Sequence, residues 1–214
     1  MSVKKSCIFL LFSTVTFSLI FLFLKLTDVR TVHSFQALTD RFFQEEVTSS
    51  TLTLHYTLRD PQVYGISDIP VRYNATTSDV STAADYLQQL TDLDPSCLPL
   101  SDQITYDILL YLLNQDLSAQ NFSLYAEPLG ATIGIQAQLP VLLCEYRFEN
   151  IDDIHTYLQL LSTTDQYFSS LLSYERQKAA AGLFMPDSCA DDIIHQCSTF
   201  IEKDPSLHLL VTVF

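Results

Sequence analysis

The sequence predicts a mainly α fold, a multi-helix array preceded by one hydrophobic helix. Three observations lead there. Apolar residues recur at spacings of three and four through most of the chain after Phe35. Helix-starting side chains such as Ser101, Asp152, Asp153 and Asp187 stand in front of those stripes. Near the start, Cys7 to Leu24 is an 18-residue run without a charge. No segment repeats at a fixed period, which excludes a solenoid.

The first element is that uncharged run. As a helix it would rise about 27 Å, close to the hydrocarbon thickness of a bilayer. A cleavable signal has a shorter apolar core and a small-residue cut site, which Val32-His33-Ser34 approaches only loosely. An uncleaved membrane anchor is therefore expected within residues 1–30, with a signal peptide as the alternative. Lys4 and Lys5 place that end in the cytoplasm and the body outside. The expected location is the cell membrane, single-pass, or secreted if the segment is cut.

Phe35, Leu38, Phe42, Phe43 and Val47 then form a helical stripe. Thr51 to Leu58 is ambiguous, because Leu52, Leu54, Tyr56 and Leu58 alternate as in a strand. Asp60-Pro61 ends that element, and Pro61 to Ser78 reads as an irregular loop. Helical spacing resumes from Ser81 to Leu93. After the turn Asp94 to Leu100, Ser101 is read as the cap of a strong helix through Ile104, Ile108, Leu109 and Leu112. Asn114 to Ser123 is read as a polar break. Asp152 and Asp153 favour the positive end of a helix carrying Ile154, Tyr157, Leu158 and Leu161. Another starts at Thr164 or Asp165 and stops at Gly182. A last helix, capped by Asp187 or Ser188, ends near Asp204-Pro205. The chain closes on the apolar run Leu207 to Phe214, which reads as a truncated or interrupted reading frame.

Composition narrows the function. Hydrophobic residues make up 48% and only 4 of 214 residues are Gly, which excludes a disordered or low-complexity chain. Eleven Lys and Arg face 25 Asp and Glu, a net charge of -14. Setting aside residues 1–30, with four basic residues and Asp28, leaves 7 basic against 24 acidic, or -17. A body so acidic repels phosphate backbones, so no nucleic-acid partner is expected.

The five cysteines, Cys7, Cys97, Cys144, Cys189 and Cys197, lack the spacing of a zinc site and are read as small buried apolar residues. Cys189 and Cys197 lie about 12 Å apart along one helix, too far to bridge. The five histidines are His33, His55, His155, His195 and His208. None is followed by Glu and no two are three to five residues apart, so a His-Glu-x-x-His motif is absent from the sequence. His195, Cys189, Asp191, Asp192 and Cys197 share a helix whose spacing spreads them around its axis. No Gly-x-Ser-x-Gly elbow or phosphate loop is present. Two glycosylation-type triplets, at Asn74 and Asn121, are short enough to arise by chance. The segment Gly130, Gly134 and Pro140 permits close backbone approach, either as a cleft lining for an extended peptide or as a packed turn.

Several short words stand out along the chain: Leu54 to Leu58, Asp60-Pro61 with Tyr64-Gly65-Ile66, Pro128-Leu129-Gly130, Gln138-Leu139-Pro140, Glu145-Tyr146, and Ala181 to Pro186. With these the chain resembles the bacterial family catalogued as domain of unknown function 885, from about Phe35 to Pro205. Members of that family look like mostly helical, exported zinc metallopeptidases of the gluzincin group. The resemblance implies that residues 31–214 are the N-terminal portion of such a domain, truncated before the zinc motif. It tips Thr51 to Leu58 towards helix. It implies Gly130, Gly134, Gln138, Pro140, Glu145 and Tyr146 as cleft residues that would face a peptide in a full-length member. It implies no catalytic or metal residue here, and zinc only in a full-length relative. The expectation is a catalytically silent part of a metallopeptidase-like protein, or alternatively a binding or scaffold protein derived from that family.

Overall fold

The computed structural model describes residues 28–74 and 80–212, and every regular element among them is helical. The expected anchor, Cys7 to Leu24, lies outside the described residues. No helix among those described is long and apolar enough to cross a membrane. The described residues divide into two compact units, residues 28–43 with 80–120, and residues 44–74 with 121–212.

Helix α1 covers residues 28–47 and so contributes to both units. In the first unit it joins α3 (Val80–Thr91) and α4 (Leu100–Ala119). Phe35 and Leu38 of α1 meet Tyr86 and Leu90 of α3 and Tyr106, Leu109 and Leu113 of α4. Leu90 is fully buried, and burial of a side chain that size stabilises by about 1.5–3 kcal/mol. Arg41 closes the edge of this core, with Nε donating to the Tyr86 hydroxyl at 3.1 Å and Nη2 to Gln89 Oε1 at 2.7 Å.

The structure corrects two readings of α4. Its N-cap is Pro99, while Ser101 sits inside the first turn and donates to Asp102 Oδ1 at 3.1 Å. The helix also runs through the expected polar break to Ala119, followed by a 3-10 turn at Gln120–Tyr125. Asn114 donates to Leu110 O at 2.6 Å and Ser118 to Asn114 O at 2.7 Å. Side chains bonded to their own helix do not end it, and neither Gly nor Pro stands there.

In the second unit, α2 (Thr51–Thr57) settles the strand-or-helix ambiguity. Ser50 caps it, accepting from Thr53 N at 3.0 Å. Thr51, Leu54 and Leu58 point inward at helical spacing, and Leu54 packs with Val47 and Ile66. Arg72 staples the next segment to this start. Its Nε and Nη2 reach Ser49 O at 3.0 Å and Thr48 O at 2.8 Å, while its backbone N donates to Thr51 Oγ1 at 3.0 Å.

Helices α5 (Ile135–Cys144), α6 (Ile151–Ser162) and α7 (Thr164–Ala180) carry the main core of this unit. It holds Tyr73, Leu139, Leu143, Tyr146, Tyr157 and Leu160. Asn150 and Asp153 form a reciprocal capping box for α6. Gly182 ends α7 as expected, in the left-handed region at φ 72°. Leu183 N then reaches Lys178 O at 2.9 Å and Gly182 N reaches Ala179 O at 3.1 Å, a Schellman closure. Helix α8 (Asp187–Glu202) has Pro186 at its cap, so Asp187 is its first residue rather than its cap. A short α9 (Leu209–Thr212) follows. Cys97, Cys144, Cys189 and Cys197 are free thiols, half-buried rather than the fully buried residues expected.

Candidate functional site

A cleft of about 880 Å³ lies in the second unit. Its first wall follows from the end of α2. Leu58 N closes the helix on Leu54 O at 3.0 Å, and Asp60-Pro61 then starts a one-turn 3-10 helix, Pro61–Tyr64. Gly65, at φ 73°, reverses the chain, and Ile66 returns to the core. This bend presents His55, Arg59 and Asp60 to the cleft. The second wall is the extended chain from Tyr146 to the start of α6, held by the capping box. Asp153 Oδ2 accepts from Glu149 N at 2.7 Å and from Asn150 N at 3.0 Å.

The walls join through His55. Its ring stacks on Tyr146 with centroids 3.7 Å apart and planes 11° from parallel. Its Nε2 accepts the Arg147 backbone N–H at 3.0 Å, which puts the imidazole proton on Nδ1. Tyr56 adds a bond to Leu142 O at 2.6 Å. Burial lowers the His55 pKa below its ordinary value, with Asp153 opposing that shift. Burial pushes Tyr146 up to about 12, and Asp153 adds to it. Both rings are neutral at neutral pH. Around them stand Arg59, Asp60, Arg147 and Glu149, charges of both signs. Arg59 Nε lies 3.7 Å from Glu149 Oε1, but these side chains are 90% and 59% exposed, so the pair is readily opened.

This arrangement can hold a ligand by stacking and by hydrogen bonds. It does not fit zinc. His55 Nε2 is already committed to a backbone donor. His208 Nδ1 accepts from Leu210 N at 3.3 Å. His33, His155 and His195 are exposed on α1, α6 and α8. Among the described residues no group of three or more His, Cys, Asp or Glu is placed to hold a metal ion.

Of the six residues expected to line a cleft, Tyr146 stands in this one and five stand elsewhere. Gly130 and Gly134 form a tight turn before α5, where Ile135 N meets Pro128 O at 2.9 Å. A Cβ on Gly134 would strike the Gly130 backbone nitrogen and the Gln136 side chain. Gln136 Nε2 bonds Gly130 O at 2.6 Å and Gln196 Oε1 at 2.9 Å, tying the turn to α8. Gln138 is exposed on α5. Pro140 lies within that helix, beside a second concavity of about 300 Å³. Glu145 is its exposed C-cap. The segment is helical from Ile135, with Gly134 as its N-cap. Sequence reasoning missed His55, Arg59 and Arg147. The only local signal was Asp60-Pro61 with Gly65, which marks the bend without revealing its partner wall.

A second polar cluster binds the chain from Ser123 to Glu127 to α7. Lys178 is fully buried, with Nζ 2.9 Å from Ala126 O and 2.7 Å from Glu127 Oε2. The Tyr174 hydroxyl lies 2.6 Å from Ser123 O and 3.1 Å from Ala126 O. Glu175 is only 6% exposed, and neither of its carboxylate oxygens has a hydrogen-bond partner among the described residues. Burial raises its pKa above the usual carboxylate value, with Lys178 opposing and Glu127 adding.

The family of bacterial proteins of unknown function DUF885 covers residues 70–212, and the chain belongs to that family. No curated protein and no solved structure matches it.

Proposed function

From this family membership and the cleft, we propose that the chain is a peptide-binding part of an exported, membrane-anchored protein resembling zinc metallopeptidases, and is itself without hydrolytic activity. The observation that carries the reading is the His55–Tyr146 stack, set among Arg59, Asp60, Arg147 and Glu149. An extended peptide offers backbone donors and acceptors together with side chains that need an apolar surface. A neutral aromatic floor with charges of both signs at its rim meets both needs. The scattered histidines support the non-catalytic half, since water activation by zinc needs clustered ligands beside a base. The uncharged run Cys7 to Leu24 supports the anchor, with the acidic body outside.

The test uses the full chain in neutral nanodiscs and a fluorescent library of extended peptides. Micromolar binding that Arg59→Glu and Arg147→Glu each weaken about fivefold or more supports the proposal. Equal binding by all three proteins, or stoichiometric zinc accompanied by peptide turnover, sinks it. Protease protection of residues 1–6 in sealed vesicles tests the anchor separately.

A further inference from the structure

Helix α4 is apolar on two opposite faces. Tyr106, Leu109 and Leu113 fill the core against α1 and α3. On the other side Leu100, Ile104, Ile108, Tyr111 and Leu112 stand between 45% and 74% exposed. Their spacings of four, four and three to four make one ridge about 18 Å long. A helix that is apolar all round belongs in an interior, and a contiguous exposed ridge of this kind marks a contact surface.

Charge identifies what covers it. From Val80 to Gln120 the chain carries Asp85, Asp92, Asp94, Asp102, Asp107 and Asp116, and no Lys, Arg or His. Asp107 lies beside the middle of the ridge and is exposed. A second copy packed symmetrically on this ridge would bring two Asp107 carboxylates together, at the point where opposition destabilises most. An anionic lipid surface would find no cation on α3 or α4 to meet it. A helix with an apolar stripe flanked by Lys or Arg satisfies both the ridge and its acidic border. We propose that the outer face of α4 is a docking surface for an amphipathic helix with basic flanks, supplied by a partner protein. This surface belongs to the first unit and does not depend on the cleft.

The probe is an 18-residue synthetic helix with a Leu stripe and Lys flanks, compared with the same stripe flanked by Glu. The protein is the full chain in neutral nanodiscs, carrying Ile108→Trp as reporter, because the native chain has no Trp. The Lys-flanked peptide is expected to shift that emission to the blue and to bind at least about tenfold tighter than the Glu-flanked one. In the native background Ile104→Asp with Ile108→Asp is expected to weaken binding at least about tenfold. These positions are exposed, so the core stays intact, which circular dichroism verifies. Asp107→Lys with Asp116→Lys is expected to erase the preference between peptides, since both are exposed and adjoin the ridge at Tyr111 and Leu112. The proposal is overturned if both peptides bind alike, or if the double Asp variant binds unchanged. Self-association lost in that variant overturns it in favour of a second copy. Quenching of the reporter by brominated lipid overturns it in favour of the bilayer.

Discussion

Replacing Lys178 with Met isolates what a buried ammonium does here. Met keeps most of the side-chain volume, so little cavity forms. Ala126 O keeps the Tyr174 hydroxyl at 3.1 Å, and Glu127, 55% exposed, can return to water. By contacts alone the change is close to neutral, because the desolvation of a fully buried ammonium is also removed. Glu175 decides the outcome. Its folded pKa is raised above the ordinary 4.5, so its contribution to stability is complete below that value and is lost as pH rises through the folded pKa. Lys178 restrains that shift, and removing it raises the folded pKa further. The expected cost of Lys178→Met is therefore under about 1 kcal/mol at pH 4.5 and about 1–3 kcal/mol at pH 8, where an unpaired buried carboxylate must ionise or take up a proton. Urea unfolding followed by far-ultraviolet circular dichroism measures both, since the chain contains no Trp. Adding Glu175→Leu is expected to recover most of the loss at pH 8. An equal loss at both pH values, or no recovery in the double variant, refutes the coupling.

Four further outcomes follow from other contacts. Tyr146→Leu removes the ring against His55 and is expected to cost about 2–4 kcal/mol in unfolding experiments while letting the His55 pKa rise, read from its imidazole resonances. Because the folded His55 pKa is depressed, its contribution is present above pH 6.5 and is lost as pH falls through the folded value; His55→Gln is expected to flatten that part of the stability profile. Gly134→Ala is expected to cost about 1–3 kcal/mol by forcing the turn open, whereas Gly130→Ala, whose Cβ would lie 3.8 Å from the nearest atom, costs under about 1 kcal/mol in the same thermal scans. Arg72→Ala frees the carbonyls of Thr48 and Ser49 and is expected to cost about 1 kcal/mol, with faster amide exchange around Ser50 and Thr51 as its local signature.

The helices were legible where a short-range rule governs them. The acidic first turn of α6, the glycine stop at Gly182 and the apolar stripes of α1 and α8 involve residues within a few positions of each other. Thr51 to Leu58 supported two periods, and the helical one prevails because Thr51, Leu54 and Leu58 share a buried face while Tyr56 does not. The polar run from Asn114 misled because hydroxyl and amide side chains can bond to the helix that carries them. The cleft was illegible for a different reason. His55 and Arg147 are separated by 92 residues, and their contact uses a backbone N–H that carries no sequence signature. Glu175 likewise looks like one more surface carboxylate until its burial is seen.

The words by which the chain resembles its family have mostly structural explanations. Gly65 reverses the chain in the left-handed region, and Pro128 accepts the N–H that closes the turn onto α5. Gly182 makes the Schellman closure, and Pro186 caps α8. These residues secure the fold, so substituting them is expected to change binding only through stability. Tyr146 is the exception, since it belongs at once to the core and to the cleft wall. Ligand binding can therefore be separated from folding at Arg59 and Arg147, whose side chains are exposed and whose removal leaves the core unchanged. A loss of binding at these two positions without a shift in melting temperature distinguishes a working cleft from an incidental hollow beside a well-packed bend.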